Sequence, residues 1–403
     1  MLAEIPLAFL TQIFLSLLAI ALLIPTIVLL VESCSAVFLP DRPSKRDVDW
    51  QQIKVAVLMP AHNEALVIES TLQSLLKQVK ATDQVVVVAD NCEDQTAAIA
   101  AAMGATVIAR HDPNHRGKGY ALDFGLRHLS QQPPDVVVMV DADCQVQSGA
   151  LPVLAQQAFA VQRPIQAIYL LDQPAQPSQK DLISAFAFKV KNWVRPLGLH
   201  KLGLACLLTG TGMAFPWPVI CSVDLASGHI VEDMKLGLDL AIAGYPPQFC
   251  PEALVLSQLP QDQQVAKGQR TRWEHGHLQV MKTYLPKLLQ TAFQQGRPDL
   301  FALGLELWIP PLALLVLLWL GMTLLSLLAR SVMALWLPIF LLLLTGLFLG
   351  LSIILGWAKF GRAELPLIKL IAVPLYILWK IPLYLMSMFN AQKNWNSTRR
   401  DIS

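Results

Sequence analysis

Apolar and polar positions along this chain follow two different rhythms, and the change between them divides it. Ile5 to Val31 carries no charge at all, and a hydrocarbon core needs only about 20 helical residues. This stretch is therefore predicted to be a helix that spans a bilayer with some tilt. From Ile53 to about Ser257, short apolar runs alternate with helical patterns, as βαβ layering requires. Lys54–Met59 reads as a first buried strand. Glu64–Lys77 reads as a helix with Leu66, Ile68, Leu72, Leu75 and Leu76 broadly on one face. Gln84–Ala89, Ala105–Ala109 and Asp135–Val140 read as further strands, with helices over Asp94–Met103 and Tyr120–Leu129 between them. The pattern predicts an α/β domain.

The tail returns to membrane character. Trp308–Ala329 and Ser331–Ala358 are uncharged and long enough to span. Arg330 separates them and Lys359 and Arg362 follow, the pattern of a hairpin returning to the cytosol. Leu365–Phe389 is apolar but carries Lys369, Lys380 and three prolines. A charge at mid-bilayer costs about 2.5–3.5 kcal/mol, so an interfacial or re-entrant segment is expected there rather than a crossing. Leu182–Leu204 and His275–Phe293 mix aromatic and apolar residues with Lys, Arg and His. They fit amphipathic helices on the membrane surface, or buried helices with a snorkelling basic edge.

Asp41-Arg42-Pro43-Ser44-Lys45-Arg46 follows the first span, whereas only Glu4 precedes it. The positive-inside rule puts the N-terminus outside and the next domain in the cytosol, giving a multi-pass protein of the inner (plasma) membrane. The expected division is a transmembrane helix over 1–35, the α/β domain over 50–274 and an amphipathic interfacial helix over 275–300. A C-terminal membrane domain over 301–389 and a basic tail over 390–403 (Lys393, Arg399, Arg400) complete it.

Composition agrees with that division. Of 403 residues, 54% are hydrophobic and 15% charged, too oily for an ordinary soluble protein. A net charge of +2 implies no nucleic-acid surface. The six cysteines form no Cys-x-x-Cys, which argues against a zinc site or a disulfide framework and for reduced thiols.

Three predicted strands run into polar loops: Pro60–Glu64, Asp90–Asp94 and Asp141-Ala142-Asp143. Ligands of open α/β sheets bind outside the carboxyl ends of strands. Asp141 and Asp143 can aim at one diphosphate through a hard cation, which prefers oxygen ligands; alone, they equally describe a solvated turn. Asp90 also fits an Asx-turn or helix cap, and Glu64 a first-turn carboxylate. Arg116-Gly117-Lys118-Gly119 sets two cations between glycines, as a diphosphate neighbour or a basic turn would. Glu232-Asp233 opens a helical pattern. Gln269, Arg272 and Trp273 supply an amide, a phosphate-matching fork and a stacking surface. An anchored membrane-surface helix accounts for those residue types but not for their order.

The order Asp, Asp-x-Asp, Glu-Asp, Gln-x-x-Arg-Trp, with membrane segments at both ends, resembles the membrane-bound inverting glycosyltransferases of family 2. These include the cellulose, hyaluronan and poly-N-acetylglucosamine synthases and, more distantly, ceramide glucosyltransferase. The resemblance implies a GT-A (Rossmann-like) cytosolic catalytic domain with flanking transmembrane helices. It implies Asp143 as a direct ligand of Mg²⁺ or Mn²⁺, Asp141 against nucleotide or sugar, Asp90 and Glu64 against the nucleoside, and Lys118 beside the diphosphate. It further implies Asp233 as general base with Glu232 its neighbour, Gln269 and Arg272 on the leaving diphosphate, and Trp273 as the acceptor floor. Thr209–Met213 falls where the family has a glycine-containing loop beneath the acceptor.

The implied activity is inverting transfer from a nucleoside-diphosphate sugar, with a UDP-sugar foremost, to a lipid or polysaccharide acceptor. The implied partners are that donor, a lipid or glycan acceptor, membrane lipids and possible partner subunits. The alternative is a membrane nucleotide-sugar-binding or transport protein without transfer, for which a base at Asp233 would be superfluous.

Overall fold

The computed structural model describes residues 7–43, 48–173, 176–229, 231–258, 263–330 and 336–372. Eight strands make one sheet: β1 (Val55–Ala61), β2 (Gln84–Asp90), β3 (Thr106–Arg110), β4 (Val136–Met139), β5 (Cys144–Val146), β6 (Ile165–Asp172), β7 (Met213–Pro216) and β8 (Gln248–Gln258). Their spatial order is β3-β2-β1-β4-β7-β6-β8-β5. The first four are parallel, β7 runs antiparallel to both β4 and β6, and β8 is parallel to β6. The helices are α1 (Leu7–Phe38), α2 (Ile68–Leu76), α3 (Thr96–Ala102), α4 (Lys118–Leu129), α5 (Ala150–Val161), α6 (Gln179–Lys189) and α7 (Arg195–Leu202). They continue with α8 (Trp217–Ile220), α9 (Glu232–Ile242), α10 (Gln263–Gln295), α11 (Pro298–Trp308), α12 (Leu312–Arg330) and α13 (Trp336–Gly356).

The α/β class follows from the period-2 side chains of apolar strands. Val55, Val57 and Met59 of β1 join Ile68, Leu72 and Leu75 of α2 in one core layer. Ala56 and Leu58 point the other way, onto Leu122, Leu126 and Leu129 of α4. With both faces covered, the carboxyl ends of β1, β2 and β4 open at one edge. The antiparallel register Met139↔Met213 brings the loop before β7, Thr209–Gly212, to the same edge.

Local polar contacts set the helix starts, which differ from the apolar pattern by a few residues. Glu64 stays in a turn, its carbonyl accepting the N–H of Val67 and Ile68 at 3.0 Å each, and α2 begins only at Ile68. Asp94 accepts the Thr96 N–H at 2.9 Å and so lies before α3. Lys118 is the first residue of α4, after Gly117 at φ 138°.

Two segments bear on the expected layout. Leu182–Leu204 becomes α6, a π-helical turn over Val190–Val194, and α7. Of the two arrangements expected for it, it takes the buried one, packed against α1 and the apolar tail, with Arg195 neutralised between Glu32 of α1 and Glu306 of α11, at 3.1 and 2.8 Å. α10 runs unbroken through Trp273 to Gln295, so the boundary expected at 274/275 falls inside one helix. His275 is accordingly mid-helix, and His277 is buried with Nε2 3.2 Å from the Leu307 carbonyl.

Three described helices are long and apolar enough to cross a membrane: Phe9–Phe38, Leu312–Arg330 and Trp336–Gly361. The second begins at Leu312 instead of Trp308 because Pro310 and Pro311 interrupt the preceding helix. The α1 carboxyl end is capped by two lysines: Lys201 donates to Ala36 and Leu39 carbonyls at 3.2 and 2.7 Å, and Lys359 to Val37 at 2.9 Å. Of Leu365–Phe389, residues 365–372 are described, with a 3₁₀ stretch over Leu367–Ala372; Lys380, the tail 390–403 and Lys45 and Arg46 lie outside the described residues.

Gly198 of α7 packs so closely on α1 that a Cβ there would meet the Glu32 carbonyl oxygen at 2.1 Å. Proximity and charge together lock these helices. Arg195→Met leaves two buried carboxylates without their cation and should cost about 3–5 kcal/mol. The triple variant Glu32→Leu/Arg195→Met/Glu306→Leu should recover most of that loss, both read from thermal unfolding in detergent.

Candidate active site

All ten residues singled out from the sequence line one cavity of about 200 Å³ at the carboxyl edge of the sheet: Glu64, Asp90, Lys118, Asp141, Asp143, Glu232, Asp233, Gln269, Arg272 and Trp273. They arrive from six separate stretches of chain. The ends of β1, β2 and β4 supply the first carboxylates, the starts of α4 and α9 supply Lys118 and the Glu232-Asp233 pair, and α10 closes the opposite side.

Lys118 is the electrostatic centre. Its ammonium pairs with Asp141, donates to the Gly210 carbonyl at 2.7 Å and stands 3.8 Å from Glu232. Burial alone would depress its pKa, but Asp141 and Glu232 raise it well above the ordinary lysine value. Burial pushes the Asp141 carboxyl up, against the opposing pull of Lys118. Burial likewise lifts Glu232 to about 7, with Lys118 opposing and Asp233 adding to the rise. Asp233 sits over Gly210, where a Cβ would come within 3.1 Å of its Oδ2; Gly210 has φ +98°. Only glycine adopts that conformation readily and leaves the carboxylate room.

Asp90 is buried at the end of β2, where Arg110 reaches it at 2.6 Å from the end of β3. Burial still raises its carboxyl pKa, Arg110 pulling the other way. Asn91 donates to Asp90 at 3.0 Å, and His62 Nδ1 lies 2.7 Å from the Asp90 carbonyl. Glu64 donates its backbone N–H to Thr96 at 2.8 Å, fixing the loop while its side chain lines the cavity.

The ligand atoms of Asp141, Asp143 and Cys144 lie within 4.8 Å of one another. Burial, then Asp143, holds the Cys144 thiol well above its ordinary pKa, so it stays protonated. The donor set is therefore two hard carboxylates, which suits Mg²⁺ or Mn²⁺ and not a soft metal.

Trp273 packs on Phe188, ring centroids 5.5 Å apart, and Phe188 edges onto Tyr169 at 5.2 Å. Phe188, Tyr169, Lys191 and Asn192 also line the cavity, as does His62. Sequence reasoning named the Pro60–Glu64 loop but not His62 itself, and it missed the other four, which carry no motif; only the polar Lys191-Asn192 step inside an apolar run could have drawn notice.

The sequence model of the family described as glycosyltransferase like family 2 matches residues 52–276, more than half of the chain. The chain belongs to that family. Among curated proteins it is 27% identical over 267 residues to the Bacillus subtilis (strain 168) protein named Probable glycosyltransferase YdaM. That match takes in 62% of this chain, which spans 61% of the relative's length. Among solved structures it is similar to the mannosyltransferase PcManGT from Pyrobaculum calidifontis in complex with GDP-Man and Mn²⁺. The TM-score is 0.56 at 20% identity, over 91% of this chain and 99% of that one. The likeness is one of fold and, together with the family match, identifies the mixed sheet as a GT-A domain.

The charge arrangement has a measurable consequence in the metal-free protein. Glu232 binds its proton more tightly folded than unfolded, so its contribution to stability falls as pH rises from the free-glutamate value to about 7. Lys118→Met removes the cation that limits this rise and extends the fall to higher pH. In chelator, the variant should lose about 1.5–3 kcal/mol above neutrality and distinctly less at mildly acid pH, read from unfolding curves at both.

Proposed function

We propose that this family 2 protein is a metal-dependent inverting glycosyltransferase, moving a sugar from a nucleoside-diphosphate donor to a membrane-associated acceptor. The observation that carries the reading is the meeting of Asp143, Asp233 and Arg272 in one cavity, from three distant parts of the chain. Simple retention of a nucleotide sugar would need no second carboxylate pair opposite the phosphate-binding side. PcManGT, whose fold this chain shares, was solved with GDP-Man and Mn²⁺. The donor site is read in the same terms here, with uridine as the expected base.

Asp90 and Glu64 face the nucleoside, with Arg110 fixing Asp90 at 2.6 Å. Gln269 and Arg272 hold the diphosphate from α10, the guanidinium supplying paired donors. Lys118 and Asp141 keep the opposite wall rigid. Mg²⁺ or Mn²⁺ held by Asp143 would neutralise the diphosphate as it departs. Trp273, braced by Phe188, floors the acceptor site. The acceptor hydroxyl oxygen forms its bond to the anomeric carbon as the bond from that carbon to the diphosphate oxygen breaks. The proton passes to Asp233, and the bonding pair leaves with the diphosphate. Attack opposite the leaving group inverts the anomeric configuration. Glu232 at the helix start stays close enough to Lys118 to share its charge.

The three apolar helices are proposed to cross the membrane, with rows of exposed side chains such as Leu324, Leu328, Leu343 and Leu347 meeting lipid. The catalytic domain then lies at the cytosolic face, on the side of Arg42 and Lys359.

Release of nucleoside diphosphate from a panel of sugar nucleotides, with lipid extract as acceptor source, tests the activity and selects the donor. Asp233→Asn should bind that donor with unchanged affinity yet lose about 10²–10⁴ in kcat; normal turnover by this variant would remove the base assignment. Chelation should abolish release, and added Mn²⁺ or Mg²⁺ should restore it in the wild type but not in Asp143→Asn. Undiminished release in chelator would contradict the metal role.

A further inference from the structure

One wall of the cavity belongs to no motif. The π-helical turn Val190–Val194 interrupts the α6–α7 segment, and such insertions re-aim side chains that an α-helix would point elsewhere. Here they deliver Lys191 and Asn192 into the cavity. Asn192 is 2% exposed, and neither its Oδ1 nor its Nδ2 has a partner among the described residues. Buried amides left unpaired are costly, and such groups call for an explanation of what completes them. Lys191 makes no ion pair or hydrogen bond among the described residues, although it feels the charge of Asp233.

A second pocket of about 100 Å³ adjoins the first, sharing Phe188, Lys191 and Trp273 with it. Its further walls are mostly apolar, with Leu29 of α1, then Ile309, Pro310, Leu312 and Ala313 where α12 begins, beside Ser184, Arg195, Arg270, Glu274 and His277. Both α1 and α12 are among the helices able to cross a membrane. Two of its charged side chains are engaged elsewhere: Arg195 with Glu32 and Glu306, and Arg270 with Asp181 at 3.3 Å. The imidazole of His277 is turned to the Leu307 carbonyl, and burial pushes its pKa down to about 3, so it is neutral. The joined pockets thus run from a polar end with unspent hydrogen-bonding groups to an apolar end between two candidate spans.

We propose that the acceptor is a lipid alcohol, its hydrocarbon chain in the apolar pocket and its hydroxyl-bearing head held by Asn192 and Lys191 beside Asp233. The proposal rests on the transferase reading above and narrows its acceptor. A glycan would require polar partners along its whole length, and beyond Trp273 the walls offer few that are not already paired. A carboxamide both donates and accepts, which suits a hydroxyl. The ammonium of Lys191 favours negative charge developing on that oxygen as its proton moves to Asp233.

The test uses the full chain in nanodiscs and a photoreactive probe, hexadecanol carrying a diazirine on its chain. Cross-links should map to the pocket walls contributed by α1, α6 and the start of α12. Ala187→Phe, which fills the apolar pocket, should cut that labelling about tenfold, as should Ala313→Phe, and Asn192→Ala should raise the half-saturating probe concentration about tenfold. Donor affinity of each variant, measured in parallel, reports that it is folded. Labelling confined to the outward faces of α12 and α13, or unchanged by both filling variants, overturns the proposal while leaving the transferase reading intact. Competition by cellobiose but not by unlabelled hexadecanol overturns it in favour of a glycan acceptor. If the pocket is labelled but no sugar nucleotide is turned over, the transferase reading fails and the acceptor role with it.

Discussion

One ammonium group holds the site together. Four carboxylates, Asp141, Asp143, Glu232 and Asp233, are gathered at the end of a sheet, where burial disfavours the charge on Asp141 and Glu232 and their neighbours add to it. Lys118 stands among them, paired with Asp141, close to Glu232 and tied to the Gly210 backbone at 2.7 Å. It can do so because Gly117 lets α4 begin at that residue and because β7 runs antiparallel to β4, which carries Gly210 to the same edge. The sheet order, the helix start and the glycine are thus three conditions of one electrostatic arrangement. Lys118 offsets part of that negative charge and, through Gly210, fixes the wall on which Asp141 and Glu232 stand.

A second ionic lock works at the other end of the molecule. Arg195 bridges Glu32 and Glu306, and it begins the helix that follows the π-helical turn. The first apolar helix, the turn bearing Lys191 and Asn192, and the helix preceding α12 are therefore fixed relative to one another. Any chain arriving between those helices reaches a wall whose geometry is set by the same triad. That links the packing of the apolar helices to the orientation of groups around Asp233, a connection between stability and the site that neither cluster has alone.

Much of this was legible in the residues. The strands announced themselves by apolar runs ending in acidic loops, and the order of Asp90, Asp141-Ala142-Asp143, Glu232-Asp233 and Gln269–Trp273 pointed to one family and one cavity. What was not legible depends on register and on contacts distant in sequence. Arg110 meets Asp90 only because β2 and β3 pair with those two residues opposite each other. α10 could not be delimited, since its mixed polarity reflects contacts with α9 and α11 instead of a water-facing stripe. For Leu182–Leu204 a surface helix and a buried one with a basic edge both stayed open, because the acidic partners of Lys189 and Arg195 lie far away in sequence, at Glu364, Glu32 and Glu306. The π-helical turn leaves no periodic trace, so Lys191 and Asn192 passed as an ordinary helix face.

The most direct measurement is an electron cryo-microscopy structure of the full chain in nanodiscs with Mn²⁺ and the non-hydrolysable analogue of its donor. The account predicts a metal joined to Asp143 and the diphosphate, Arg272 on that diphosphate, and Asp233 on the opposite side of the anomeric carbon. A diphosphate bound away from Asp143, or an anomeric carbon with Asp233 on the same side as its leaving group, would contradict it.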